Sequence, residues 1–151
     1  MYERWRTDWV PYPTDRRPEV IALRQSLVDV GLRFVARLYA AGAPVGAGTD
    51  LADTGLLPGF DLHREIELLA EAGLPPHAAL WTAARGPGAN AGGHPLTGRL
   101  ISGAPANLVL LRANAFDDVA ALSQIEAVIL RGEYYDRAAL DAVLADLEEV
   151  P

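Results

Sequence analysis

The run "RLYAAGAPVGAGTD", residues 37–50, carries a helix through a tight turn into small residues and ends on an acid. Upstream of it, Leu23, Leu27, Val30, Phe34 and Leu38 recur at steps of three and four. That spacing predicts a long amphipathic helix, opened by Pro18 in its first turn and closed at Gly42. Residues 44–48 then read as a short strand in which Val45 is the only bulky side chain between Pro44 and Thr49. Glycine inside a strand marks close approach of another backbone. Helix, turn and strand in that order are the punctuation of an α/β fold, and ligands of such folds gather at the carboxyl ends of strands. Asp50 stands at such an end.

The remainder of the chain continues the alternation. Asp61 is placed to cap a second helix that carries Leu62, Ile66 and Leu69 on one face and stops at Gly73. "LPPHAALWTAAR" opens a third helix with prolines in its first turn. "GPGANAGGHPLTG", with its glycines and prolines, breaks all periodicity and marks a boundary. Beyond it, "ANLVLLRA" and "IEAVILRG" are β-rich apolar runs, the second turning at Arg131-Gly132 into "EYYD". Asp136 then caps a last helix with Leu140, Val143, Leu144 and Leu147 facing inward. Residues 1–17 are irregular, and Trp5, Trp9 and Tyr12 are read as packing across a neighbouring core.

The chain of 151 residues suffices for one sizeable core, and its net charge of −7 argues against a phosphate backbone as partner. Without a cysteine it has no disulfide, thiolate metal site or cysteine nucleophile, which fits a cytoplasmic protein. No apolar run approaches the roughly 20 residues needed to cross a bilayer, so a membrane is not expected as partner. Its three histidines, His63, His77 and His94, form no H-x-H or H-x-x-x-H pair, so no zinc site assembles from neighbouring ligands. Gly46-Ala47-Gly48 fails as a dinucleotide fingerprint because Leu51 occupies the last glycine position. Ser26, Ser102 and Ser123 lie in no strand–turn–helix elbow. Asp50 is therefore the leading candidate, as a metal ligand or as acceptor of a proton from a metal-bound water, with a turn-forming role as the plain alternative. His63 follows it by thirteen residues, on the first turn of the second helix; it either faces the same cleft or caps its helix.

Taken in order, "AAGAPVGAGTD", "PGFDLHREIELLAEAGLPPHAALWTAARGPGANAG" and "TGRLISGAPANLVLLRANAFDDVAALSQIEAVILRGEYYDRAAL" resemble the C-terminal portion of the amidohydrolase superfamily, in particular its imidazolonepropionase- and dipeptidase-like hydrolases. The resemblance covers roughly residues 34 to 145. It implies an α/β chain that is the C-terminal part of a TIM-type (β/α)8 barrel, followed by strands of a small β-sandwich domain and a terminal helix. Residues 1–92 would be the last barrel units, and 93–151 the return strands with the closing helix. The implied reaction is hydrolysis of an amide-like carbon–nitrogen bond, non-peptide or dipeptide, by metal-activated water. Asp50 takes the place of the aspartate that ends the eighth strand, a catalytic acid and metal ligand. His63 takes that of a histidine at the start of the next helix, read as substrate-binding.

The departures are as informative. The family's H-x-H and its other metal histidines have no counterpart, and a complete barrel needs about 250 residues. Asn107 stands where "ADLVLL" usually carries its acid, and Pro75 where a capping Ser or Thr is usual. A divalent metal, zinc in the first instance, is thus expected only with ligands from another segment or chain. One or two parallel strands would leave open edges, and the long helix would have little to bury against. The expectation is a segment inactive without the missing barrel half, which associates with a complementary chain or with copies of itself. Two other readings stand beside it: a non-catalytic α/β interaction module, and a small self-sufficient enzyme using Asp50 and His63 as an acid–base pair.

Overall fold

The computed structural model describes residues 17–50, 58–85 and 94–148, the side chains of the last two residues excepted. Trp5, Trp9 and Tyr12, the glycine-rich residues 86–93 and the Leu147 side chain lie outside them. Among the described residues the chain forms helices α1 (Pro18–Ala40), α2 (Phe60–Glu71) and α3 (Pro76–Arg85) before any strand. Strand β1 (Leu108–Leu111), a 3-10 turn (Val119–Ser123), β2 (Ile125–Leu130), β3 (Glu133–Asp136) and helix α4 (Arg137–Glu148) follow.

Each helix boundary has a local cause. Pro18 sits in the first turn of α1, where its missing N–H costs nothing. At the other end Gly42 takes φ +77°, a conformation that a Cβ disfavours. There the Ala43 N–H reaches Leu38 O at 3.0 Å and the Gly42 N–H reaches Tyr39 O at 2.9 Å, a Schellman closure. Helix α2 ends likewise, with the Leu74 N–H on Leu69 O at 3.1 Å and both side chains in the core. It begins two residues earlier than the sequence suggests: Gly59 is its N-cap, and Asp61 lies inside the first turn, where its charge still favours the positive helix end. Asp136 behaves as expected, its Oδ1 accepting the Ala139 N–H at 2.9 Å at the start of α4.

The sheet has three antiparallel strands in the order β1-β2-β3. Between β2 and β3, Arg131 (φ 55°) and Gly132 (φ 89°) both adopt positive φ, the geometry of a two-residue hairpin turn. Arg112 and Glu126 pair across β1 and β2. Asn107, standing where the family carries an acid, accepts the Arg131 N–H on its Oδ1 at 2.8 Å.

The segment 44–48 corrects the sequence reading, for it pairs with no strand among the described residues. Its polar backbone turns instead to the helices. The Ala47 N–H donates to Thr82 O of α3 at 3.3 Å, and the Gly48 N–H to Glu65 Oε1 of α2 at 2.8 Å. Ala47, Ile66, Leu69, Leu74, Ala79 and Val119 form the core between this segment, α2, α3 and the 3-10 turn. The small residues serve close packing as read, but against helices; a strand ladder needs a neighbouring strand to accept it. Gly98 shows the same economy at the other end of α3, where an added Cβ would meet Ala84 O at 2.2 Å.

Candidate functional site

Asp50 ends the described part of the small-residue segment, solvent-exposed and at φ 50°. Positive φ is uncommon for a residue other than glycine, though aspartate tolerates it better than most. Two residues before it, Glu65 grips the backbone by accepting the Gly48 N–H. The tether joins α2 to the stem that carries Asp50. Sequence reasoning missed it. Its signal is faint: an acid beside Ile66, on the side of α2 that turns toward the core.

Arg64 is held on the outer side of α2 by Glu67 and Glu71, at 3.0 and 2.8 Å. Hydrogen bonds to Glu71 and then Glu67 hold its guanidinium more firmly protonated than usual. These half-exposed pairs stiffen the helix surface and contribute only tenths of a kcal/mol each.

His63 lies on the first turn of α2, as expected, and lines a groove of about 530 Å³. Phe60 of α2, Ile125 and Val128 of β2, and Leu140 and Leu144 of α4 form its apolar walls. Burial there pushes the imidazole below its ordinary pKa, and Glu67 opposes that only in part. A neutral imidazole can accept or donate one hydrogen bond to a ligand. Asp50 is not among the residues lining this groove, so the geometry does not gather Asp50 and His63 into one concavity. His77 lines a different one, on α3, and His94 is exposed in the turn after the glycine-rich stretch.

No group of three or more His, Asp or Glu side chains among the described residues could hold a metal ion. Asp50 offers carboxylate oxygens alone, where a zinc ion takes four donors. The described residues by themselves do not fit a metal centre. Nor, among them, is any helix long and apolar enough to cross a membrane.

With this geometry in hand, comparison with known proteins places the fold. No protein-family model matches the chain, and no curated protein matches it either. Solved structures do. A crystal structure of an amidohydrolase is 26% identical over 80% of the chain, with a TM-score of 0.62. One named as a prolidase, from Bifidobacterium longum, is 33% identical over 76% of the chain, with a TM-score of 0.61. A Xaa-Pro dipeptidase with methionine bound in its active site shares the fold at 22% identity, covering 89% of the chain with a TM-score of 0.65. The chain spans 29%, 30% and 31% of these three structures, in that order.

Proposed function

We infer, from a chain that represents part of an amidohydrolase-superfamily fold, that it is one segment of a metal-dependent hydrolase of amide-like carbon–nitrogen bonds. The observation that carries this reading is the agreement of fold with amidohydrolase and prolidase structures over most of the chain, with Asp50 exposed at the end of the small-residue segment. In this reading residues 1–92 close a TIM-type barrel and 93–151 return into a small β-domain. Another segment, in the same polypeptide or a separate one, supplies the histidines and the divalent metal site, zinc in the first instance. Asp50 would contribute a ligand oxygen to that metal, which would supply the activation of water, and its carboxylate, open to solvent, is suited to accept a proton. Glu65 holds its stem, and His63 offers a neutral imidazole to the substrate. The setting proposed is cytoplasmic.

The test is to co-express the chain with a polypeptide supplying the remaining strands and to assay hydrolysis of dipeptides and N-acyl amino acids with added zinc. Asp50→Asn keeps the size of the side chain and removes its charge. It is expected to lower the rate roughly 10²- to 10⁴-fold, the scale of a lost general base, without lowering the melting temperature. A rate that Asp50→Asn leaves intact removes Asp50 from the mechanism.

A second reading, a non-catalytic interaction module, is favoured by one observation: α1 buries none of its side chains. Zinc calorimetry on the chain with and without the complementary polypeptide separates the two. The hydrolase reading requires tight binding only when both are present.

A further inference from the structure

Apart from the His63 groove, the fold holds a second concavity, of about 690 Å³. It opens between the end of α1, residues 43–45, α3 and Phe116 in the loop between β1 and β2. Pockets for small molecules span about 300–1,000 Å³ and combine apolar walls with a few polar groups. Here the walls are the rings of Tyr39, Trp81 and Phe116, with Val45 behind them. Trp81 is 56% exposed and Phe116 67%, unusual for rings of that size.

The charge in this concavity runs against that of the molecule. The chain carries a net −7, yet among the described residues no carboxylate lines the pocket, and the guanidinium of Arg85 does. Arg85 lies with its guanidinium carbon 4.4 Å from the centre of the Trp81 ring. It makes no ion pair or side-chain hydrogen bond among the described residues. Its stem is pressed by Gly98, where an added Cβ would come within 2.6 Å of Arg85 Cγ. A guanidinium placed over an aromatic face keeps its in-plane N–H donors free, in the fork that a carboxylate matches with two hydrogen bonds. The residues that follow it, "GPGANAGG", contain no acid to compete.

We propose that this concavity is a binding site for a small aromatic carboxylate, its ring packed among Tyr39, Trp81 and Phe116 and its carboxylate paired with Arg85. A cationic ligand is disfavoured, because Arg85 already occupies the Trp81 face and would repel it. A neutral aromatic ligand would fill the walls but leave the guanidinium unanswered. Asp50 is not among the residues lining this site, and the pairing needs no metal.

The experiment titrates the full chain with phenylacetate, phenylacetamide and acetate, following backbone amide and tryptophan indole resonances by NMR. Phenylacetate is expected to bind at least about tenfold more tightly than the other two, the scale of one charge-assisted hydrogen-bonded pair or one packed ring. Arg85→Gln is expected to erase the preference for phenylacetate over phenylacetamide while the circular dichroism spectrum stays unchanged. Trp81→Leu is expected to weaken both aromatic probes. The proposal is overturned if the amide binds as well as the acid, if acetate binds as well as phenylacetate, or if Arg85→Gln keeps the preference. It is equally overturned if phenylacetate leaves the Trp81 indole resonance unmoved.

Discussion

Glu65 and His63 sit two residues apart on α2 and do different work. Glu65 tethers Gly48 by a charged acceptor at 2.8 Å, partly open to water. Glu65→Ala is expected to cost about 1 kcal/mol in urea unfolding, because a backbone N–H loses a charged partner yet can still reach solvent. Glu65→Gln, which keeps an acceptor oxygen, should recover much of that. His63 makes a prediction in pH. Its imidazole is held below the ordinary value by burial, so the folded form takes up the proton less readily than the unfolded one. As pH falls through about 6.5 the unfolded chain takes up the proton first, and stability drops until the folded-state value is passed. His63→Gln lacks this titration. Measured by urea midpoints between neutral and mildly acidic pH, the parent should therefore lose stability relative to the variant as pH falls. An equal loss in both would place the imidazole in water. At this scale the sequence exposes what is local. Asp136 caps α4 as its position implies, since cap and amide are three residues apart. The Glu65–Gly48 contact spans seventeen residues of chain, and no local pattern encodes it.

The elements follow the same division. Helices α1 and α2 appear where their apolar spacing puts them, and α3 where its first-turn prolines do, because a period near 3.6, a closing glycine and an opening proline are properties of the segment itself. The hairpin at Arg131-Gly132 is read for the same reason: a two-residue turn with positive φ at both positions demands glycine or a tolerant residue. Gly132→Ala is therefore expected to cost about 1–2 kcal/mol, the penalty of a Cβ in the left-handed region. Because nothing lies within 4 Å of the missing Cβ, the loss is conformational and Gly132→Asn should recover part of it. Chemical denaturation of the three proteins checks this order. The segment 44–48 is where pattern reading meets its limit. Small apolar residues before an acid satisfy a strand's composition, but a strand exists only with a partner to pair. Here helices take up its amides instead, and the acid still emerges at its end.

At the scale of the molecule the unresolved term in the energetics is α1. Leu23, Leu27, Val30 and Phe34 are each more than half exposed, at 59%, 61%, 55% and 60%, although their spacing forms the seam that a helix ordinarily hides. The stripe is read correctly from the sequence; what covers it is not encoded in these residues, because burial depends on a surface that the described chain does not provide. A seam of this kind makes apparent stability a function of concentration, since any partner that binds the folded state adds to it by mass action. The isolated chain is accordingly expected to sediment as species heavier than 16.2 kDa, with a melting temperature that rises with protein concentration. Phe34→Glu places a charge in the middle of the seam, at a residue already open to solvent. It should return the chain to a monomer and remove the concentration dependence, while far-UV circular dichroism keeps most of its helical signal. The complementary polypeptide should then restore both helix content and melting temperature in the parent but not in Phe34→Glu. If the parent sediments as a monomer at every concentration with a sharp, concentration-independent melt, α1 needs no cover. The exposed stripe then calls for no partner on energetic grounds, whatever the fold resembles.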